Sequence, residues 1–227
     1  MKRDLIKGIK LIPFGVSIKS SIVLFILFMA LGIGAEIVMP MGVASQNYFN
    51  YGAMFIFAGM MFPGQILLSD DVSLLVQTSP YKKKIQVSMQ TYVSLIMNLI
   101  GMTITLIIYG VHRHMHPEYS VDLMKGMLYA AAIGVFVSTV STLLYKYFFT
   151  ALIVIYIVAF SSMYFPMIGF GVKNCGLIES IVKTPALTTL ICYLLMFVGA
   201  AGNYVVSTLL YKKEFSKMAF SAALKRN

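Results

Sequence analysis

Tryptophan is absent from this 227-residue chain, cysteine occurs twice, histidine three times, and charged residues make up only 11%. Each shortage excludes something. Without tryptophan, an interfacial aromatic belt has to be built from the sixteen Phe and fourteen Tyr. Two cysteines, Cys175 in an expected loop and Cys192 inside an expected span, supply neither a disulfide framework nor a metal-ligand set. A charged fraction of 11% beside 59% hydrophobic residues excludes an ordinary soluble fold, which carries about 25% and about 45–50%.

Catalytic signatures are missing as well. No GxxxxGK followed by Ser or Thr occurs, so the chain has no phosphate loop for ATP. Intramembrane hydrolysis needs a nucleophile with a base, or a metal, at membrane depth. Here there is no GxSxG or HExxH, and His112, His114 and His116 all lie outside the expected spans. The chain itself is therefore not expected to be an enzyme.

What is present is apolar sequence in lengths that suit a bilayer. A spanning helix needs about 20 apolar residues. Six such segments run over 20–39, 50–68, 88–109, 126–145, 149–169 and 187–210. The expected fold is all-α, a single polytopic membrane domain over 1–227.

The net charge of +10 is unevenly placed. With a cytoplasmic N-terminus, the inside segments hold 14 of the 18 cations, leaving outside only Arg113, Lys125, Lys173 and Lys183. Lysine and arginine concentrate in short cytoplasmic loops, so both termini are expected in the cytoplasm and the basic balance reports topology rather than nucleic acid. Residues 1–19 are too polar, and the next apolar run too long, for a cleaved signal peptide. Leu5, Ile9 and Ile12 share one face while Arg3, Lys7 and Lys10 fall on another, the pattern of a short interfacial helix interrupted at Pro13.

Other features concern packing. Gly126, Ala130, Gly134, Ser138 and Thr142 recur every four residues and make a stripe along which another helix can approach closely. Pro63 and Pro166 are expected to kink or loosen their helices. No internal repeat is visible, which weighs against a transporter built from inverted halves.

Glu36 is the one acidic residue inside the expected spans, about one turn from the outer end of the first. An intramembrane carboxylate is a candidate for a pathway or outer gate, with a snorkelling interfacial residue as the alternative. Asn98 and Asn203 are further pathway candidates, although with Gln65, Gln90 and Thr91 they also suit interhelical hydrogen bonding. The three histidines would share one side of an extended strand. Only Glu118 and Asp122 lie nearby, so a solvated loop is expected and no metal site is assigned, with metal binding or pH sensing as the alternatives.

The cytosolic stretch 69–87, SDDVSLLVQTSPYKKKIQV, carries the most information. Asp70 and Asp71 after Ser69 suit the first turn of a short helix, Leu74 and Leu75 offer an apolar contact surface, and Pro80 ends it. The alternative is a stop-transfer loop whose lysines only orient the chain.

A six-span permease of this size with a basic interfacial N-terminal helix resembles the transmembrane subunits of ABC-2-type bacterial ABC transporters. In these, the loop between spans two and three holds an acidic, apolar coupling helix followed by proline and basic residues. The matching positions are Asp70, Asp71, Leu74, Leu75, Thr78, Ser79, Pro80, Tyr81, Lys82, Lys83 and Lys84. The outer connection GVKNCGLIESIVKTPAL, with Leu177 to Val182 and then Pro185, is similar to the family's outer segment. Ser79 stands where many members have leucine, and the glycine common in the coupling segment is missing.

The resemblance implies half of an exporter in a bacterial cell membrane. Two permease subunits, identical or different, pair in the lipid and dock on separate ATP-binding subunits that hold the ATP and Mg, so this chain needs no cofactor. The implied cargo is an amphipathic or hydrophobic peptide. Two readings from other classes stand beside it: a gradient-driven transporter or channel that uses Glu36, and a membrane scaffold or immunity-type accessory.

Overall fold

The computed structural model describes residues 16–38, 51–72, 80–148, 184–214 and 216–217, with side chains of the second helix described over 52–62. Among the described residues every regular element is helical. They are α1 (Val16–Val38), α2 (Tyr51–Val72), α3 (Lys84–Met115), α4 (Pro117–Tyr147) and α5 (Pro185–Leu210).

Local chemistry sets the boundaries. Pro80 and Tyr81 form an exposed turn, and the Ile85 N–H bonds the Tyr81 carbonyl at 3.0 Å to start α3. His116 leaves helical geometry at φ −131° and ψ 72°, as the residue before Pro117 must. Pro117 then opens a one-turn 3₁₀ segment, Pro117–Tyr119, leading into α4, so α3 and α4 form a tight antiparallel hairpin. At the head of α5 the Thr184 hydroxyl accepts from the Leu187 N–H at 3.3 Å, and Pro185 occupies the first turn, where its missing N–H costs nothing.

Close approaches give the helix directions. In α1 against α2, Gly32 meets Ile56 and Glu36 meets Gly52, an antiparallel register. A Cβ on Gly134 of α4 would lie 2.6 Å from Met196 Cε of α5, and Thr139 meets Asn203, a parallel register. Accordingly α1 and α3 run one way and α2, α4 and α5 the other. Lys84, Tyr147 and Leu210 lie at one end, called inner for its lysines; Val38, Met115 and Pro185 lie at the outer end. Helix α4 thus finishes at the inner end and α5 starts at the outer end.

The core forms where small residues admit large ones. The Phe57 ring sits between Gly101 and Gly134, with Phe57 Cε1 3.2 Å and 2.7 Å from where their Cβ atoms would be. Tyr109 lies on Gly126 in the same way, at 2.8 Å. Gly126, Ala130, Gly134, Ser138 and Thr142 are all buried, so the expected stripe is the packed face of α4.

The bundle's polarity is inverted relative to a soluble protein. On α5, Thr188, Asn203 and Ser207 are buried while Val198 and Leu209 are 67% and 76% exposed. Tyr92, Ile96, Ile100, Ile107 and Val111 line an exposed apolar strip on α3. Lipid, not water, stabilises such a surface. Four stretches, Ser21–Val38, Lys84–Met115, Pro117–Tyr147 and Pro185–Leu210, are long and apolar enough to cross a bilayer, and Gly52–Phe62 is a shorter apolar helix. The architecture is that of a helical, multi-pass membrane protein.

Several expectations change. Asp70 and Asp71 lie in the last turn of α2 rather than the first turn of a separate helix, because the helix runs on without a break through Ser69. Helix α2 also continues through Pro63. The third helix begins earlier than 88 and ends later than 109, so Lys84 starts it and His112 and His114 lie on different sides of a helix instead of one side of a strand. Helix α1 is already formed at Val16. The interfacial helix expected within 1–19 otherwise lies outside the described residues, as do Leu74, Leu75, Thr78, Ser79, Cys175, Pro166 and the span at 149–169.

Candidate functional site

Among the described residues, polar clusters occupy the outer end of the apolar bundle, the α4–α5 seam and the inner end.

At the outer end Glu36, in the last turn of α1, is 5% exposed. It is a buried residue and does not snorkel. Gly52 makes this possible: a Cβ there would overlap Glu36 Cγ and lie 2.6 Å from Cδ. The carboxyl accepts from the Ala53 backbone N–H, a donor that the first turn of α2 leaves without a helical partner, and from the Tyr109 hydroxyl of α3. Its Oε1 is buried with no hydrogen-bond partner among the described residues. One turn further along α3, the His112 ring bonds the Glu36 backbone carbonyl. His116 Nδ1 then stands 3.3 Å from Glu118 Oε1.

Along the α4–α5 seam, Asn203 Nδ2 donates to Ser138 Oγ at 3.1 Å, and the Thr139 hydroxyl lies 3.0 Å from Asn203 Oδ1. Thr139 is also 2.9 Å from the Val135 carbonyl, so its single proton serves one acceptor at a time. Asn98 is buried on α3. Tyr109, which Glu36 meets, lies eleven residues beyond Asn98, about 16 Å along the helix. The structure therefore brings Asn203 to α4 and leaves Glu36 in a separate cluster.

The inner end carries the remaining candidates. Lys146 is 1% exposed, and its Nζ donates to the Gln86 carbonyl at 3.4 Å. Gln86 lies in a π-helical turn, Lys84–Met89, and a second π-helical turn, Val140–Leu144, precedes Lys146. Such turns widen the helix and are frequent at functional sites. Around them, Lys213 Nζ stands 4.0 Å from the Phe148 ring centroid and Lys83 Nζ 5.5 Å from that of Tyr211, within cation–π range. Pro80 and Tyr81 are exposed, Lys82 is half-buried, and Lys83 and Lys84 are exposed.

Sequence reasoning missed Tyr109, Gly52, Gln86 and the burial of Lys146. The spacing of Tyr109 and His112, three apart, was a signal that both face one neighbour. Nothing local marks Gly52 as the partner of Glu36. Among the described residues, no three His, Cys, Asp or Glu side chains gather as a metal site. No family model, curated protein or solved structure matches the chain.

Proposed function

We propose that the chain is the membrane-spanning subunit of an ATP-driven exporter of the ABC-2 type in a bacterial cell membrane, paired with a second permease subunit and docked on separate ATP-binding subunits that hold ATP and Mg. One observation carries the reading: the exposed Pro80–Tyr81 turn and its lysines lead directly into α3, a continuous 32-residue helix. At about 1.5 Å per residue, α3 delivers a displacement of that turn about 38 Å away, past Asn98 to the Tyr109 contact. A partner that binds this turn differently in its ATP-bound and free states would shift the bundle by that difference in affinity.

The parallel run of α4 and α5 supports six spans, because the chain has to return between them. Asp70, Asp71, Leu74, Leu75, Thr78, Ser79, Pro80, Tyr81 and Lys82 form the docking segment in this reading, and an amphipathic or hydrophobic peptide is the cargo. The test is purification from the native membrane in mild detergent, with mass spectrometry of what accompanies the chain. Recovery of an ATPase with a phosphate loop, lost in Leu74→Asp or Leu75→Asp while insertion is intact, is the expected result. Repeated absence of any ATPase overturns it.

A second reading, gradient-driven transport through Glu36, is favoured by that residue's burial. It expects proton-gradient dependence that disappears in Glu36→Gln with no ATPase associated.

A further inference from the structure

Glu36 is held in a place that suits no hydrated ion. Its Oε1 has neither a donor among the described residues nor solvent contact. Gly52 lies so close that even one methyl group would displace the side chain. Leaving a buried carboxylate oxygen without a donor is costly, and an anion among apolar helices more so. The other interactions at the carboxyl, from the Ala53 N–H and the Tyr109 hydroxyl, leave that oxygen unsatisfied. A metal ion or an organic cation would need space and further ligands. A proton needs neither.

From this geometry we infer that Glu36 is a proton-binding site at the outer end of the bundle, taking its proton on Oε1 from the outer aqueous side. The step forms one O–H bond at Oε1 and removes the proton from a water-borne donor, with no other bond changed. Among the described side chains, the titratable groups facing Glu36 are Tyr109 and His112, both on α3. Helix α2 presents only backbone at Gly52 and Ala53. Outward from His112, His116 and the 56%-exposed Glu118 side chain continue a line of exchangeable groups to the surface. The site does not depend on the ATP-driven reading, so its failure would leave the permease reading standing and count only against gradient-driven transport through Glu36.

The test is infrared spectroscopy of the purified full chain in lipid nanodiscs at neutral pH. A protonated carboxyl shows a C=O band, well separated from ionised carboxylates, that shifts on exchange into deuterium oxide. Such a band should be present in the native chain and lost in Glu36→Gln, whose neutral amide keeps the shape of the protonated acid. Tyr109→Phe, which keeps the ring on Gly126 but removes a hydrogen bond to the carboxyl, should move the band to higher wavenumber. If Glu36→Gln instead removes intensity from the ionised-carboxylate region, the inference is overturned. Should Glu36→Gln fail to fold, a carboxylic band that Tyr109→Phe leaves in place overturns it equally.

Discussion

Asn203 of α5 reaches Ser138 of α4 through a 3.1 Å hydrogen bond from Nδ2 to Oγ. The acceptor hydroxyl also donates to the Val135 carbonyl of its own helix at 2.9 Å. An amide and a hydroxyl buried in an apolar seam thus fix the rotation of α5 against α4. Asn203→Leu removes this bond and the Thr139 contact, yet Ser138 and Thr139 keep the Val135 carbonyl and are not stranded. The expected loss is therefore small, about 0.5–2 kcal/mol, read by steric trapping or thermal unfolding in detergent.

Gly134→Ala should cost about 1–3 kcal/mol, because the new Cβ would sit 2.6 Å from Met196 Cε and 2.7 Å from Phe57 Cε1. Phe57→Leu in the same chain should recover part of that loss, since the two residues compete for one volume. A double-mutant cycle on melting temperature checks the coupling. Strict additivity would show that the two do not share the site.

Gly52→Ala is a test of the outer cluster by packing alone. The methyl group has nowhere to go except into Glu36, so α1 should be displaced from α2. Accessibility of a cysteine placed at the buried Ala53 to a membrane-impermeant thiol reagent should rise.

Lys146→Met keeps the apolar stem and removes the donor to the Gln86 carbonyl. A buried hydrogen bond from a charged group is worth about 1.5–3 kcal/mol, and its loss should appear locally. Hydrogen exchange over 84–89 and 140–144 should accelerate while the Phe57 core is unchanged.

Topology has its own test. Single cysteines at Tyr81 and Lys213 should be labelled from one side of the membrane, and those at Met115 and Thr184 from the other. Labelling of Thr184→Cys from the side of Lys213→Cys would contradict the parallel run of α4 and α5.

Much of this protein is legible along the chain because its determinants are local. Apolar run length placed five of the six expected spans on helices that are present, four of them long and apolar enough to cross a bilayer, and the stripe from Gly126 to Thr142 named the packed face of α4. Pro117 and the Thr184–Pro185 pair mark helix ends by backbone geometry that neighbours cannot alter. Where a local signal was weak, it misled: Ser69 with two aspartates reads as a helix start, yet an N-cap acts only where the preceding helix has already stopped, and α2 had not.

What the sequence by itself determined is the solvent this chain is built for, where along it the basic residues gather, and which helix faces carry small residues. These follow from composition and period, which depend on no partner. Only the tertiary structure decided that Glu36 is buried against Gly52 and Tyr109, that Asn203 meets Ser138, and that Lys146 closes on the π turn at Gln86. Each of those contacts joins residues from different helices, and no local rule specifies which residues two packed helices will bring together.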